Sequence, residues 1–308
     1  MTVARSMYKK NGIIKTGGTY MLHFPTEKVD AHITRIYAFG TELMYLIEGS
    51  EGNVLLDTGS GFGSLKAATD AILASHENTN PLKVLLTHGH VDHANGSGEY
   101  ANTGIPVYMS MKDIYIYEKH ASDAFRAAGL GMEQFEGHGT YVPEEDYIPS
   151  AALSDLHDLK EGDTFDLGDV TIETFACPGH TLGSMIFLIR EKDGDRYLLT
   201  GDACNTFTFV FDDYSTSIEE YEETLQSVSE KLKGQYDHVL LSHGDGKGYV
   251  GIIEDVCKVC EDIKNGNVDN VPFEFQGAPA KIAHVPDMKK GNIVYRPERI
   301  WKKDTVVQ

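Results

Sequence analysis

Four stretches of this chain end alike. They read NVLLDTGSG (Asn53 to Gly61), KVLLTHGH (Lys83 to His90), RYLLTGDACN (Arg196 to Asn205) and HVLLSHGDG (His238 to Gly246). Each is a short apolar run of β-forming residues closed by glycine and polar residues, the pattern of a strand and a turn. The runs are apolar at successive positions, so both faces must be buried, as in a sheet inside a layered α/β domain. A helical pattern, SLKAATDAILASHE, separates the first pair of runs, and a second, SIEEYEETLQSVSEKLKG, separates the other pair. Strand, helix, strand and histidine therefore recur, with the polar residues always after the strand. A duplicated unit of this kind brings residues far apart in sequence to one shared edge, where α/β proteins bind their ligands.

Between the two halves runs a stretch that alternates and turns like a meander of strands, with KDGDR as its hairpin turn. It contains CPGHTLGS, which places His180 on a tight loop after an apolar strand. Its setting matches that of the other strand-end polar residues.

The second run continues as VLLTHGHVDHANG, Val84 to Gly96, and packs His88, His90, Asp92 and His93 into six positions. A lone histidine near a strand end is ordinarily a surface or satisfied core residue. Several imidazoles and a carboxylate held together at a buried edge lose water and gain little packing. A metal ion reverses that balance, because neutral imidazole and carboxylate are ligands that divalent zinc, iron or manganese accept.

The 308 residues are ample for a core and are read as a single domain over 1–308. The net charge of −20 repels polyanions, which excludes nucleic acid as a natural partner and leaves a small molecule. The first residues show no apolar leader, and no run approaches the ~18 apolar residues of a membrane span, so a cytoplasmic protein with no membrane partner is expected. Four cysteines are few for a disulfide scaffold. Cys257 and Cys260 fall in a helical pattern and are read as neighbours on one helix face rather than as a redox or zinc pair.

Taken in order, LLDTG, THGHVDH, CPGHT, LTGD and LSHGDG resemble the five motifs of the metallo-β-lactamase superfamily, over roughly Ile33 to Lys264. The resemblance implies an α/β fold of αββα layers, two sheets between outer helices, with a one- or two-metal site at the edge between the halves. It implies that His88, His90 and His180 bind a first metal, that Asp92, His93 and His243 bind a second, and that Asp202 bridges both. Asp57 matches a residue that braces the ligand loop, although a plain turn role in DTGSG explains it equally well. Asp202 argues against β-lactam hydrolysis, since true β-lactamases of this fold lack the bridging aspartate. His90 stands where the iron oxidases of the superfamily carry glutamate, which favours hydrolytic zinc chemistry. The implied cofactors are two divalent ions, zinc first, with iron or manganese as alternatives. Cys204, two residues after Asp202, is read as packing or pocket wall.

Water on zinc ionises near pH ~7, and two ions about 3.5–4 Å apart can present a hydroxide to an electrophile while polarising its oxygen. Asp92 is then placed to shuttle a proton to the leaving group, with Asp202 as the second catalytic carboxylate. The reading is a dinuclear hydrolase of a lactone, ester or thioester. Hydrolysis of a phosphodiester or phosphorylcholine ester is the alternative, and an iron-dependent redox enzyme or a non-catalytic binding module ranks lower. An insertion over 121–149 is expected to act as a lid or a homodimer contact. Phe207, Phe209 and Tyr214, after Asp202, are candidates for an apolar substrate pocket, with Tyr214 as an oxyanion donor. The extension over 271–308 is read as a strand pair or a dimer arm covering the sheet.

Overall fold

The computed structural model describes residues 22–287 and 289–303. The expectation of no N-terminal leader, and the last residues of the extension, lie outside the described residues. The first half contains strands β1 (Thr26–Lys28), β2 (Ile33–Tyr37), β3 (Leu43–Glu48) and β4 (Asn53–Leu56), then helix α1 (Leu65–Ser75) and strand β5 (Leu82–Leu85). Short helices α2 (Val91–Ala94) and α3 (Gly98–Ala101) follow, then strand β6 (Val107–Met109), helices α4 (Ile114–Ala121), α5 (Asp123–Leu130) and α6 (Pro143–Asp146), and strand β7 (Leu156–Asp158). The seven strands form one sheet in chain order. It is antiparallel up to β4 and parallel from β4 to β7.

The second half contains β8 (Thr164–Asp166), β9 (Val170–Ala176), β10 (Met185–Glu191), β11 (Arg196–Leu199) and β12 (Thr208–Val210). Helix α7 (Ile218–Leu232), strand β13 (His238–Leu240), helix α8 (Ile252–Asn265) and strands β14 (Val271–Phe275), β15 (Ala278–Ile282) and β16 (Ile293–Tyr295) complete it. The second sheet has the order β13-β11-β10-β9-β8, and a third, small sheet has the order β12-β16-β15-β14. The duplication read in the sequence is present in the topology. Strand β4 runs parallel to β5 across α1, with Leu56 opposite Leu85, and β11 runs parallel to β13 across α7, with Leu199 opposite Leu240.

Alternation along β3 shows how the layers separate. Leu43, Tyr45 and Ile47 join Phe187, Ile189 and Leu199 in the apolar layer between the two large sheets. Met44 and Leu46 point the other way, into a layer with Leu65 and Leu73 of α1 and Tyr117 of α4. On the far side, Ile186, Leu188 and Leu198 meet α7 and α8. The result is helix, sheet, sheet, helix, as the motif order implied. Both outer helices carry sequence signals for their starts. Ser64 caps α1 by accepting from the Ala67 N–H, and Ser217 and Glu220 form a reciprocal capping box on α7. Leu65, Thr69 and Leu73 bury one face of α1, and Ile218, Tyr221, Leu225, Val228 and Leu232 bury one face of α7.

The remaining elements sit around this frame. The meander forms as β8 to β11, with the predicted turn between Glu191 and Arg196. Cys257 and Cys260 lie on α8 and are free, as are the buried Cys177 and Cys204. The Cys204 Sγ lies 3.7 Å from the Ile252 carbonyl inside the α7–α8 core, which is a packing position. The C-terminal extension forms a hairpin, β14–β15, and the strand β16 that joins it to β12.

Candidate metal centre

All the strand ends singled out above open on one edge. Asp57 follows β4, His88 and His90 follow β5, Asp202 follows β11, and His243 follows β13. His180 lies on the loop from β9 to β10, and Asp92 and His93 lie on α2. The structure brings seven of these side chains into two groups, His88, His90 and His180 in one and Asp92, His93, Asp202 and His243 in the other. Within each group the facing atoms lie within 4.8 Å of one another.

The first group is three nitrogens pointing at a common place. His90 Nδ1 lies 3.0 Å from His88 Nε2 and 2.9 Å from His180 Nε2, and the latter two are 3.2 Å apart. In the second group, His93 Nε2 and His243 Nε2 are 3.2 Å apart, and Asp202 Oδ2 is 3.1 Å from the latter. The Asp92 Oδ2 lies 3.5 Å from His93 Nε2 and 3.6 Å from His243 Nε2. Asp202 faces both groups, since its Oδ2 is also 3.8 Å from His180 Nε2. Its other oxygen, Oδ1, is buried with no hydrogen-bond partner. Such an oxygen is costly unless something cationic meets it.

The outer nitrogens show why the inner ones are free to bind a cation. His180 Nδ1 donates to the Phe209 carbonyl at 2.7 Å. His93 Nδ1 meets Asp57 Oδ2 at 2.8 Å, and His243 Nδ1 meets Thr41 Oγ1 at 3.1 Å. His88 Nδ1 meets Thr87 Oγ1 at 2.9 Å, and that hydroxyl donates onward to the Asp57 carboxylate. Hydrogen bonds to the outer nitrogen fix each ring's tautomer and leave an inward lone pair, the arrangement of metal-ligating histidine. The donor set, imidazole and carboxylate without thiolate, fits zinc, iron or manganese.

Electrostatics divides the two groups. Burial, reinforced by neighbouring imidazoles, pushes His88 and His90 well below the ordinary histidine range. Burial also opposes charge on His93 and His243, but carboxylates outweigh it. Asp92, Asp57 and Asp202 hold His93 well above its usual value, and Asp202 and Asp92 lift His243 to about 9. Protons and a metal therefore compete for the second group.

Asp57 is more than a turn residue. It takes a left-handed backbone, φ 64°, which aspartate tolerates better than most residues. In that conformation its carboxylate accepts from the Thr87 N–H at 2.7 Å while holding His93.

Three residues near the site escaped the sequence reading. Asp113, fully buried before α4, accepts from the Gly89 N–H, the Thr181 hydroxyl and the Gly183 N–H. His120 stacks on His90 at 5.1 Å and on Phe125 at 3.9 Å, and accepts from the Val91 N–H. Burial pushes it down to about 4, so it is neutral. Glu42, beside His243 in a backbone bridge, accepts from the Ser60 hydroxyl at 3.0 Å. None lies in a strand-end motif, which is why pattern alone did not find them.

The substrate-pocket candidates are placed as follows. Tyr214 lies 6.2 Å from His90 and accepts a hydrogen bond from Lys119 Nζ, leaving its own O–H available to donate. Phe207 and Phe209 lie half-buried on β12 and beside it. The insertion packs down as α5 and α6. Arg126, fully buried, donates to the carbonyls of Ser60, Gly61 and Ile148 and lies 4.1 Å over the Tyr147 ring.

Two sheets between helices, with this cluster at the strand ends, define an α/β metallohydrolase architecture. The Metallo-beta-lactamase superfamily profile matches residues 38–243, and the chain belongs to that superfamily. It is 28% identical over 153 residues to an uncharacterized protein of Mycobacterium tuberculosis, covering 48% of this chain and 61% of that one. The chain thus spans about three fifths of the length of those mycobacterial relatives. It is 25% identical over 230 residues to the acyl-coenzyme A thioesterase MBLAC2 of Homo sapiens, covering 68% of this chain and 75% of that one. In fold it is similar to a metallo-beta-lactamase from Pontibacter korlensis, at TM-score 0.52 and 15% identity over 75% of this chain and 96% of that one. It is also similar to the sec-alkylsulfatase Pisa1 from Pseudomonas sp., at TM-score 0.58 and 16% identity over 79% of this chain and 42% of that one.

Proposed function

We propose that this chain is a dinuclear, zinc-dependent hydrolase of acyl thioesters. One observation carries the reading: Asp202 stands between a three-imidazole group and a group of two imidazoles and a carboxylate, with a buried oxygen that has no partner. His88, His90 and His180 would hold one ion, Asp92, His93 and His243 the other, and Asp202 both. Ions so held would supply an acidified water and polarisation of a carbonyl oxygen. The choice of thioester over lactone or simple ester rests on the similarity to an acyl-coenzyme A thioesterase over two thirds of the chain.

The chain's own residues do the rest. Asp57, Thr87, Thr41 and the Phe209 carbonyl orient four of the imidazoles. Asp92 carries the more open of the two inner carboxylates, with 34% of its side chain exposed against 14% for Asp202. It is the residue we assign to take a proton from the attacking water and return it to the departing sulfur. Tyr214 is the candidate to donate to the developing oxyanion.

The substrate is a small molecule, in keeping with a charge of −20 that repels nucleic acid. No helix among the described residues is long and apolar enough to cross a membrane. Four free cysteines, three of them buried, suit the reducing cytoplasm that we assign to the protein. The test is turnover of an acyl-thioester panel by the zinc-loaded chain and by Asp92→Asn, which should lose at least a hundredfold in kcat while staying folded. Full activity in that variant would refute the assigned proton transfer.

A further inference from the structure

The small third sheet has two different faces. Val210, Ile293 and Tyr295 turn inward and join the α7–α8 core. On the other face, Phe207, Phe209, Phe211 and Phe273 form an aromatic cluster with Ala280, Ile282 and Val294. Phe209 is its hub, with ring centroids 5.7 Å from Phe207, 5.2 Å from Phe211, 5.7 Å from Phe273 and 5.3 Å from Phe275. Phe207, Phe209 and Phe273 remain half-buried and Phe275 is 37% exposed, so no element among the described residues covers this face completely.

That face is joined to the metal centre at both ends. The Phe209 carbonyl receives the His180 Nδ1–H at 2.7 Å, so the residue that carries the hub ring also orients one imidazole of the first group. The tip of the β14–β15 hairpin reaches the insertion, where Gln276 Nε2 lies 3.8 Å from the Met132 sulfur. The next residue, Glu133, lies close to Gly40 and Glu42, and Glu42 is bridged to His243 of the second group. Contacts therefore run from His180 through Phe209 of β12 to the hairpin rings and Met132, and from Glu133 beside it through Glu42 to His243. Met132 is itself exposed, and continues the apolar surface from the hairpin onto the insertion.

We propose that this face is the specificity wall for the substrate's acyl chain, with Phe209, Phe273, Phe275 and Met132 as its contacts. The proposal rests on the acyl-thioester reading of the metal centre and deepens it. It assigns the C-terminal hairpin a role in selecting medium and long unbranched chains over acetyl. Uncovered aromatic surface on so acidic a protein marks a binding site, and its continuity with the imidazole groups picks the substrate as occupant. Each methylene buried against such a wall is worth about fourfold in affinity.

The test compares kcat/KM for decanoyl- and acetyl-coenzyme A in the zinc-loaded chain, in Phe275→Ala and in Phe273→Ala/Phe275→Ala. Phe275 is exposed enough that its truncation does not threaten folding, and circular dichroism checks the double variant. The native chain is predicted to prefer decanoyl by at least a hundredfold. The preference should fall at least threefold in the single variant and at least tenfold in the double variant. An unchanged ratio overturns the proposal, whatever happens to the absolute rates. If neither thioester is turned over, the thioesterase reading fails, and calorimetric titration with decanoate and acetate decides the wall alone. Tighter binding of decanoate, lost in the double variant, supports it, and equal binding of the two acids overturns it. Variants that dissociate a dimer in sedimentation without moving the chain-length preference would make this face a contact between copies, which also overturns it.

Discussion

Asp113 Oδ2 accepts from the Thr181 hydroxyl at 2.7 Å, one of the bonds by which this carboxylate ties together the two loops that carry the first imidazole group. The same carboxylate accepts from Gly89, between His88 and His90, and from Gly183, just beyond His180. Asp113→Ala would leave the two buried N–H groups of Gly89 and Gly183 without an acceptor and remove one partner of the Thr181 hydroxyl. A loss on the order of 3 kcal/mol in stability is predicted, together with weaker metal binding. Urea unfolding of the metal-free and metal-loaded forms measures both, and an unchanged midpoint in both would contradict the bracing role.

Asp57 acts through His93 and Thr87 rather than on the substrate. Asp57→Ala should therefore weaken zinc binding about ten- to a hundred-fold, as loss of such outer partners does elsewhere. Competition with a chelating dye reads the affinity. Wild-type affinity would return Asp57 to a turn role.

Glu133 gives a pH dependence with a definite sign. Burial, with Glu42 adding, raises its carboxyl to about 8. A raised acid favours folding while protonated, so its contribution is fully present below its ordinary value of 4.5. It declines as pH rises and is lost through about 8. Glu133→Gln should stabilise the protein by roughly 1–3 kcal/mol at pH 9 and by little or nothing at pH 4.5. Melting temperatures at the two pH values decide it, and an equal shift at both would be the wrong result.

Arg126 pins the insertion with hydrogen bonds to three carbonyls and no carboxylate partner among its hydrogen-bond acceptors. Arg126→Ala is predicted to cost on the order of 3 kcal/mol. Hydrogen exchange should speed up first over 121–149 and over Ser60–Gly61. Uniform acceleration across both sheets would mean that the insertion is not a separately held unit.

The layers were legible because they rest on local signals. Runs such as VLLTHGH and VLLSHGD carry both strand propensity and a polar stop, and the repeat of strand, helix and strand fixed which ends share an edge. The shared edge accounts for the gathering of polar strand ends, while the set of seven ligands came from the resemblance of the five motifs, and the structure places those side chains within reach of one another. Asp113, His120 and Glu42 were not legible for a common reason. Each belongs to a helix or loop whose approach to the site depends on tertiary packing, and a lone Asp, His or Glu in such a segment has no spacing to mark it. The β14–β15 hairpin could be read as strands, but its contact with the insertion is a property of the sheet it joins, and that sheet pairs residues from β12 and β16 across more than eighty positions of chain.

The most direct measurement is acyl-thioester turnover by the metal-stripped chain as zinc is added back, with His88→Ala in parallel. Turnover that rises to a maximum at two zinc equivalents per chain, and is absent from the variant, is the predicted result. Turnover independent of metal, or retained in His88→Ala, would contradict the dinuclear hydrolase outright.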